Sequence, residues 1–163
     1  MFDIITSRDF LAKLEADYGD FKAQPDSARH ALNCIITAYH VHEWVWGDWL
    51  KTDYATWIKL GIRGDIEDFK KWLDGACPGF VVVQSLANGA KHFIRNTTVE
   101  TERVAGFGCG PYSIGPYSQP YLLIDYGAGA VERWQTAEQL IDEAVTFWRK
   151  FFETYRPASS SVT

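Results

Sequence analysis

A helix drawn over residues 28–50 is apolar around most of its circumference, and no other feature constrains the chain as strongly. Advancing about 100° per residue, Leu32, Ile35, Ile36, Tyr39, Glu43, Trp46 and Leu50 form one stripe. Cys34, Ala38, Val41, Val45 and Trp49 form a second apolar face. The polar strip between them holds Arg29, His30, Asn33, Thr37, His40, Asp48 and Lys51 and is narrow. Such a helix needs other elements packed on two sides, which places it at the centre of the fold. The preceding "AQPD" breaks the chain, so Asp26 or Ser27 is the expected N-cap.

Within this helix "YHVHEWVWGDW", Tyr39 to Trp49, sets two histidines and a glutamate among large aromatics. His40 falls in the polar strip. His42 and Glu43 fall on the apolar side, where a polar group must find a partner and a lone charge is costly. Glu43, in the middle of the first stripe, is expected to face inward.

The segment "PGFVVVQSLANGAKHF" is read as a second helix, with Pro78 at its first position and its end near His92, although three consecutive valines equally suit a strand. Gly89 inside it suggests close approach of another helix. Asn88, Lys91 and His92 share one face, so "NGAKH" aims an amide, an ammonium and an imidazole at one place. If the two helices pack through Gly89, Glu43 meets Lys91 or His92. That makes His40, His42, Glu43, Lys91 and His92 the candidate catalytic set and Asn88 a binding residue. A histidine–glutamate acid–base pair with Lys91 stabilising an anion suits cleavage of a phosphodiester. The competing readings are a solvated helix end, whose basic residues complement the helix dipole, and a buried structural network.

Other chemistries lack their patterns. "HVHE" is not HExxH and paired ExxH units are absent, so neither a metal nor a cofactor is expected. There is no GxSxG elbow and no phosphate-binding glycine loop. Cys34, Cys77 and Cys109 are odd in number and widely spaced, which suggests reduced thiols in the cytoplasm. Cys34 lies on an apolar face, where thiols are usually inert.

The remaining chain gives a first helix from Ser7 to Tyr18, capped by Thr6 or Ser7 and stopped at Gly19. Residues 51–75 suggest a turn-rich segment followed by a helix from about Asp65 to Leu73. "IRNTTVETERVAGF" alternates and is read as a strand or a pair, and "YLLIDYGAGAVERW" as a hairpin turning at Tyr126 to Gly129. Thr136 and Gln139 form a capping box for a closing helix that ends about Tyr155. Between the strands, residues 106–121 nearly repeat "GPYSI" as "GPYSQ". Glycine and proline preclude regular structure there, and Tyr112 and Tyr117 are the candidate binding residues of that loop.

The 163 residues suit a single domain over 1–156 with a flexible tail at 157–163. A hydrophobic content of 47%, with 15% aromatics, is more than a disordered chain carries. The net charge of −5 argues against a uniformly basic nucleic-acid surface and leaves a local basic patch open. The start shows no signal-peptide pattern, and no apolar run is long enough to span a membrane.

The combination of "TAYHVHEWVW", "ANGAKHF", a Gly/aromatic-rich loop and a closing "FWRKFFE" helix resembles a group of short, uncharacterised bacterial and prophage-associated proteins, over about Ala28 to Tyr155. The helical arrangement is more distantly similar to HEPN-type domains, helical bundles often found in RNases of toxin and phage-defence systems. Their signature, an arginine followed four to six residues later by a histidine, does not occur in this chain. The resemblance therefore implies a helical bundle without that catalytic pair.

The expected fold is α+β and mainly α: a helical bundle of four to five helices with a small antiparallel sheet before the C-terminal helix. Two functions remain open. One is a binding or interaction domain, through a homodimer or another protein, in a phage–host or stress context. The other is a small hydrolase or nuclease using the His/Glu/Lys set.

Overall fold

The computed structural model describes residues 3–91, 99–106 and 109–156, with Lys91 described through its backbone alone. Six helices are present among these residues: α1 (Ser7–Ala23), α2 (Ala28–Asp48), α3 (Tyr54–Leu60), α4 (Ile66–Ala76), α5 (Phe80–Lys91) and α6 (Ala137–Tyr155). A 3-10 turn, Leu50–Thr52, links α2 to α3. Three antiparallel strands, β1 (Glu100–Val104), β2 (Tyr121–Asp125) and β3 (Trp134–Thr136), precede α6 in the order β1-β2-β3. The expected mainly helical α+β architecture is what the chain adopts. The sixth helix is α3, which lies in the segment expected to be turn-rich. Asp53 caps it with its carboxylate on the Thr56 N–H, and Gly61 closes it in the left-handed region at φ 69°.

The central helix is α2, against which α1, α5 and α6 all pack. Its Cys34, Val41 and Val45 are fully buried. From α6, Trp148 is also fully buried and donates its indole N–H to the Ala38 carbonyl at 2.9 Å. Burying an indole removes roughly 150–250 Å² from water, and the bond spares its one polar atom a desolvation cost. Around the lower half of α2, Trp46 stacks on Trp57 and Phe69, and Phe69 stacks on Trp72. Aromatic surface thus joins α2, α3 and α4.

Most helix ends follow the expected signals. Ser27 caps α2, and Thr136 with Gln139 forms the capping box of α6. Thr6 caps α1 in a box closed by Asp9. Gly19 does not stop α1, which runs on to Ala23. No neighbour crowds that glycine, and continuing the helix buries Phe21 completely. Pro78 is not the first residue of α5. Gly79 beside it sits at φ 71°, outside helical space, so α5 begins at Phe80 and keeps its valines helical.

In the sheet, β1 and β2 pair Glu100 with Asp125, Glu102 with Leu123 and Val104 with Tyr121. Because side chains alternate across a strand, Val99, Thr101, Arg103, Leu122 and Ile124 share the face toward the helices. Glu100, Glu102, Val104, Tyr121 and Leu123 share the other face, where Ile114, Gly110 and Gly115 of the loop cover the Val104–Tyr121 end and leave Glu100 and Glu102 exposed. The near-repeat in that loop has a packing cause. Gly110 and Gly115, the first residues of the two units, both rest on Tyr121, where an added Cβ would lie 1.9 Å from its hydroxyl and 2.7 Å from its ring.

Candidate functional site

The candidate set on α2 does not face one way. His42 is 1% exposed, and its Nδ1 is bonded to the carbonyl of Tyr39 within the same helix. Its ring packs against Tyr39 and, edge-on, against Phe80 of α5. Burial holds the imidazole below its ordinary pKa, opposed by the Tyr39 carbonyl and the Glu43 charge, so it stays neutral in the core. Glu43, expected inward, is exposed, and its carboxylate lies 2.9 Å from Nδ1 of half-buried His40. The physical reason is that the first stripe is covered in two separate patches. Phe80 covers it at Tyr39, and Trp57 with Phe69 cover it at Trp46. Glu43 falls between them.

Packing of α5 on α2 is antiparallel. Phe80, at the start of α5, touches Tyr39 and His42, and Gln84 reaches the Tyr39 hydroxyl at 3.4 Å. Leu86, Gly89 and Ala90, near its end, line one groove with Ala28, Ala31 and Leu32 at the start of α2. At 1.5 Å of rise per residue, Leu32 and Glu43 are roughly 16 Å apart along α2. The backbone of α5 therefore carries position 91 away from Glu43. His42 faces the α2–α5 interface, and His40 and Glu43 pair beside it at the surface. Asn88 is half-buried on α5, and His92 lies outside the described residues. In the loop, Tyr112 and Tyr117 are 92% and 65% exposed.

The convergence of α2, α5 and the sheet leaves an open groove of about 1090 Å³. Its helical wall combines small residues, Ala28, Ala31, Gly89 and Ala90, with Leu32, Ile35 and Leu86. Small side chains let a visitor approach the backbone, and Leu32, 39% exposed, offers apolar surface to it. The opposite wall is β1, of which the consecutive residues Glu100 to Arg103 all line the groove, backed by Leu122 and Ile124. Leu123 lines it as well, so the groove runs where β1 and the adjoining β2 meet the helices, with β1 as the outer strand. Arg103 closes one end by pairing with Asp26 at 2.6 Å.

Neither the α2 histidines nor "NGAKH" pointed to this groove. Its available signals were the small residues opening α2 and the charged alternation of "ETERV", which marks an edge strand.

Elsewhere the polar groups serve packing. Thr37, 3% exposed, donates to Asp17 and accepts from Lys13, at 2.6 and 2.7 Å, pinning α1 to α2. Burial pushes the Cys34 and Cys77 thiols up to about 12, which leaves them protonated and inert. Among the described residues, no three histidine, cysteine or acidic side chains gather as a metal site would require. No described helix is long and apolar enough to cross a membrane.

Fold and site together define an α+β domain in which a helical bundle and a three-stranded sheet frame an open, largely apolar groove. The chain matches no protein-family model, no curated protein and no solved structure.

Proposed function

We propose that this chain is a binding domain, acting without chemistry of its own, whose α2–α5–β1 groove receives a segment of a partner protein in the cytoplasm. The observation that carries the reading is the groove itself. It pairs an apolar helical wall, including exposed Leu32, with a strand edge. A hydrolase built on the α2 histidines finds less support, because His42 is sealed in the core and position 91 leaves α5 at the end remote from Glu43. The buried thiols of Cys34 and Cys77 suit a reducing compartment. A phage–host or stress setting rests on the sequence resemblance alone.

A displayed random-peptide library, selected on the wild-type chain and counter-selected on Leu32→Lys and Ala90→Trp variants, tests this. Both positions are exposed, so the variants should fold as the parent does, as circular dichroism would check. Peptides retained by the wild type and lost by both variants are the expected result. Peptides held equally by all three chains would defeat the groove. So would turnover of an RNA or phosphodiester substrate that disappears in Glu43→Gln.

A further inference from the structure

We infer that the groove's occupant is an extended, basic segment of a different protein, which adds to the sheet by pairing with the outer edge of β1. The inference rests on the binding role proposed for the groove and specifies its ligand. β1 is the first strand in the order β1-β2-β3, and among the described residues no strand pairs with its outer side. In an antiparallel pair, alternate residues turn their N–H and C=O away from the partner strand. All four residues from Glu100 to Arg103 line the groove, so a backbone laid from it along β1 would satisfy those groups and gain affinity without regard to sequence.

Side chains then set the partner's character. An added strand directs alternate residues to the two faces of the sheet. On the helical face they enter the groove against Leu32, Ala31 and Leu86, which favours apolar side chains. On the other face they stand beside Glu100 and Glu102. Arg103 is held by Asp26, and Arg133 makes a two-pronged pair with Asp125. Arg133 also lies within electrostatic reach of Glu100, but its charge is already matched by Asp125, so the two glutamates keep the edge negative and lysine or arginine opposite them is favoured.

The same charges oppose a second copy of this chain. A two-fold axis perpendicular to the sheet allows antiparallel β1–β1 registers centred on Thr101, Glu102 or Arg103. These set Glu100 against Glu102, Glu102 against itself, or Arg103 against itself. Like charges directly opposite one another destabilise a strand pair. The edge thus rejects self-pairing while remaining open to a complementary strand, which is how charged edges confer specificity.

The test uses the full chain and three fluorescent octapeptides followed by anisotropy at low salt: alternating lysine–valine, alternating glutamate–valine, and lysine–valine with alternate backbone nitrogens methylated. The lysine–valine peptide is expected to bind about tenfold more tightly than its glutamate counterpart, the sum of two reversed cross-strand charge pairs. Methylation, which removes donors without altering charge, should abolish binding. Glu100→Lys/Glu102→Lys should reverse the preference, and Glu100→Gln/Glu102→Gln should erase it should the reversed variant fail to fold. Equal binding of both charge patterns, or indifference to methylation, would overturn strand addition. If lysine–valine fails to bind while library peptides still depend on Leu32 and Ala90, the groove stands and this ligand is wrong. If the library peptides ignore Leu32 and Ala90, the groove reading fails first.

Discussion

Tyr121 carries a buried hydroxyl with no hydrogen-bond partner among the described residues, and two glycines lean on its ring. Replacing it with phenylalanine removes a polar atom from a site that is 6% exposed and leaves the ring contacts to Val104 and Leu123 in place. An unpaired buried hydroxyl costs about 1 kcal/mol or more, so Tyr121→Phe is expected to stabilise the chain by about that amount. In a domain of this size the change raises the melting temperature by roughly 2–4 °C. The glycines then form an internal control. Gly110→Ala sets a Cβ 1.9 Å from the hydroxyl, 3.0 Å from the ring and 3.3 Å from Val104. It should cost about 1–3 kcal/mol as overpacking. Combined with Tyr121→Phe the closest contact disappears, so the cost should fall by about 1 kcal/mol, a positive coupling in a double-mutant cycle. Gly115→Ala meets ring carbons at 2.7–2.8 Å and sits at φ 72°, so deleting the hydroxyl should not rescue it. Urea unfolding of the six chains, at constant m, measures all of this. A destabilised Tyr121→Phe would show that the hydroxyl has a partner after all. Equal rescue of both glycine variants would refute the contact geometry.

His42 and Asp125 give two pH predictions. The buried imidazole of His42 is held below its ordinary 6.5, first by desolvation. Below that pH the unfolded chain binds a proton that the folded chain resists. Stability should therefore fall as pH drops through the 6.5 region and level off beneath the lowered folded value. Urea midpoints at pH 7.5 and 5.5 should show the loss in the wild type and a smaller one in His42→Gln; equal losses would put its cause elsewhere. Asp125 is bonded by Arg133 and by the Gly127 N–H, which hold its carboxyl at about 2. Carbon-detected NMR titration should find that low value, and Arg133→Gln should move it up towards 3.8; an unchanged midpoint would mean that the pair does not form in solution.

What could be read from the chain in advance follows from which forces are local. Capping depends on residues three apart, and Thr136 with Gln139, Ser27 and Thr6 all behave as their spacing implies. The central position of α2 is also local, since apolar side chains around a helix demand cover whatever provides it. Which part of the helix is left uncovered is not local. Leu32 and Glu43 belong to the same stripe as Tyr39 and Trp46, yet both are exposed, because α5 reaches the stripe at Phe80 and α4 reaches it at Phe69. The helical wheel counts side chains and carries no information on where neighbouring helices cross.

The groove was hidden for the same reason, since α2 and β1 lie about seventy residues apart and come together through tertiary packing, with Arg103 paired to Asp26. One trace of it was nonetheless local. A central strand in a covered sheet is apolar on at least one face, as "YLLID" is in β2. "ETERV" is exposed at four of its five positions and carries charge on both faces, a composition that a sheet tolerates only at its margin. An edge strand was therefore legible without coordinates. That its edge runs beside an apolar helical wall, and so has something to offer a partner besides charge, required the packing of α2 and α5 to be seen.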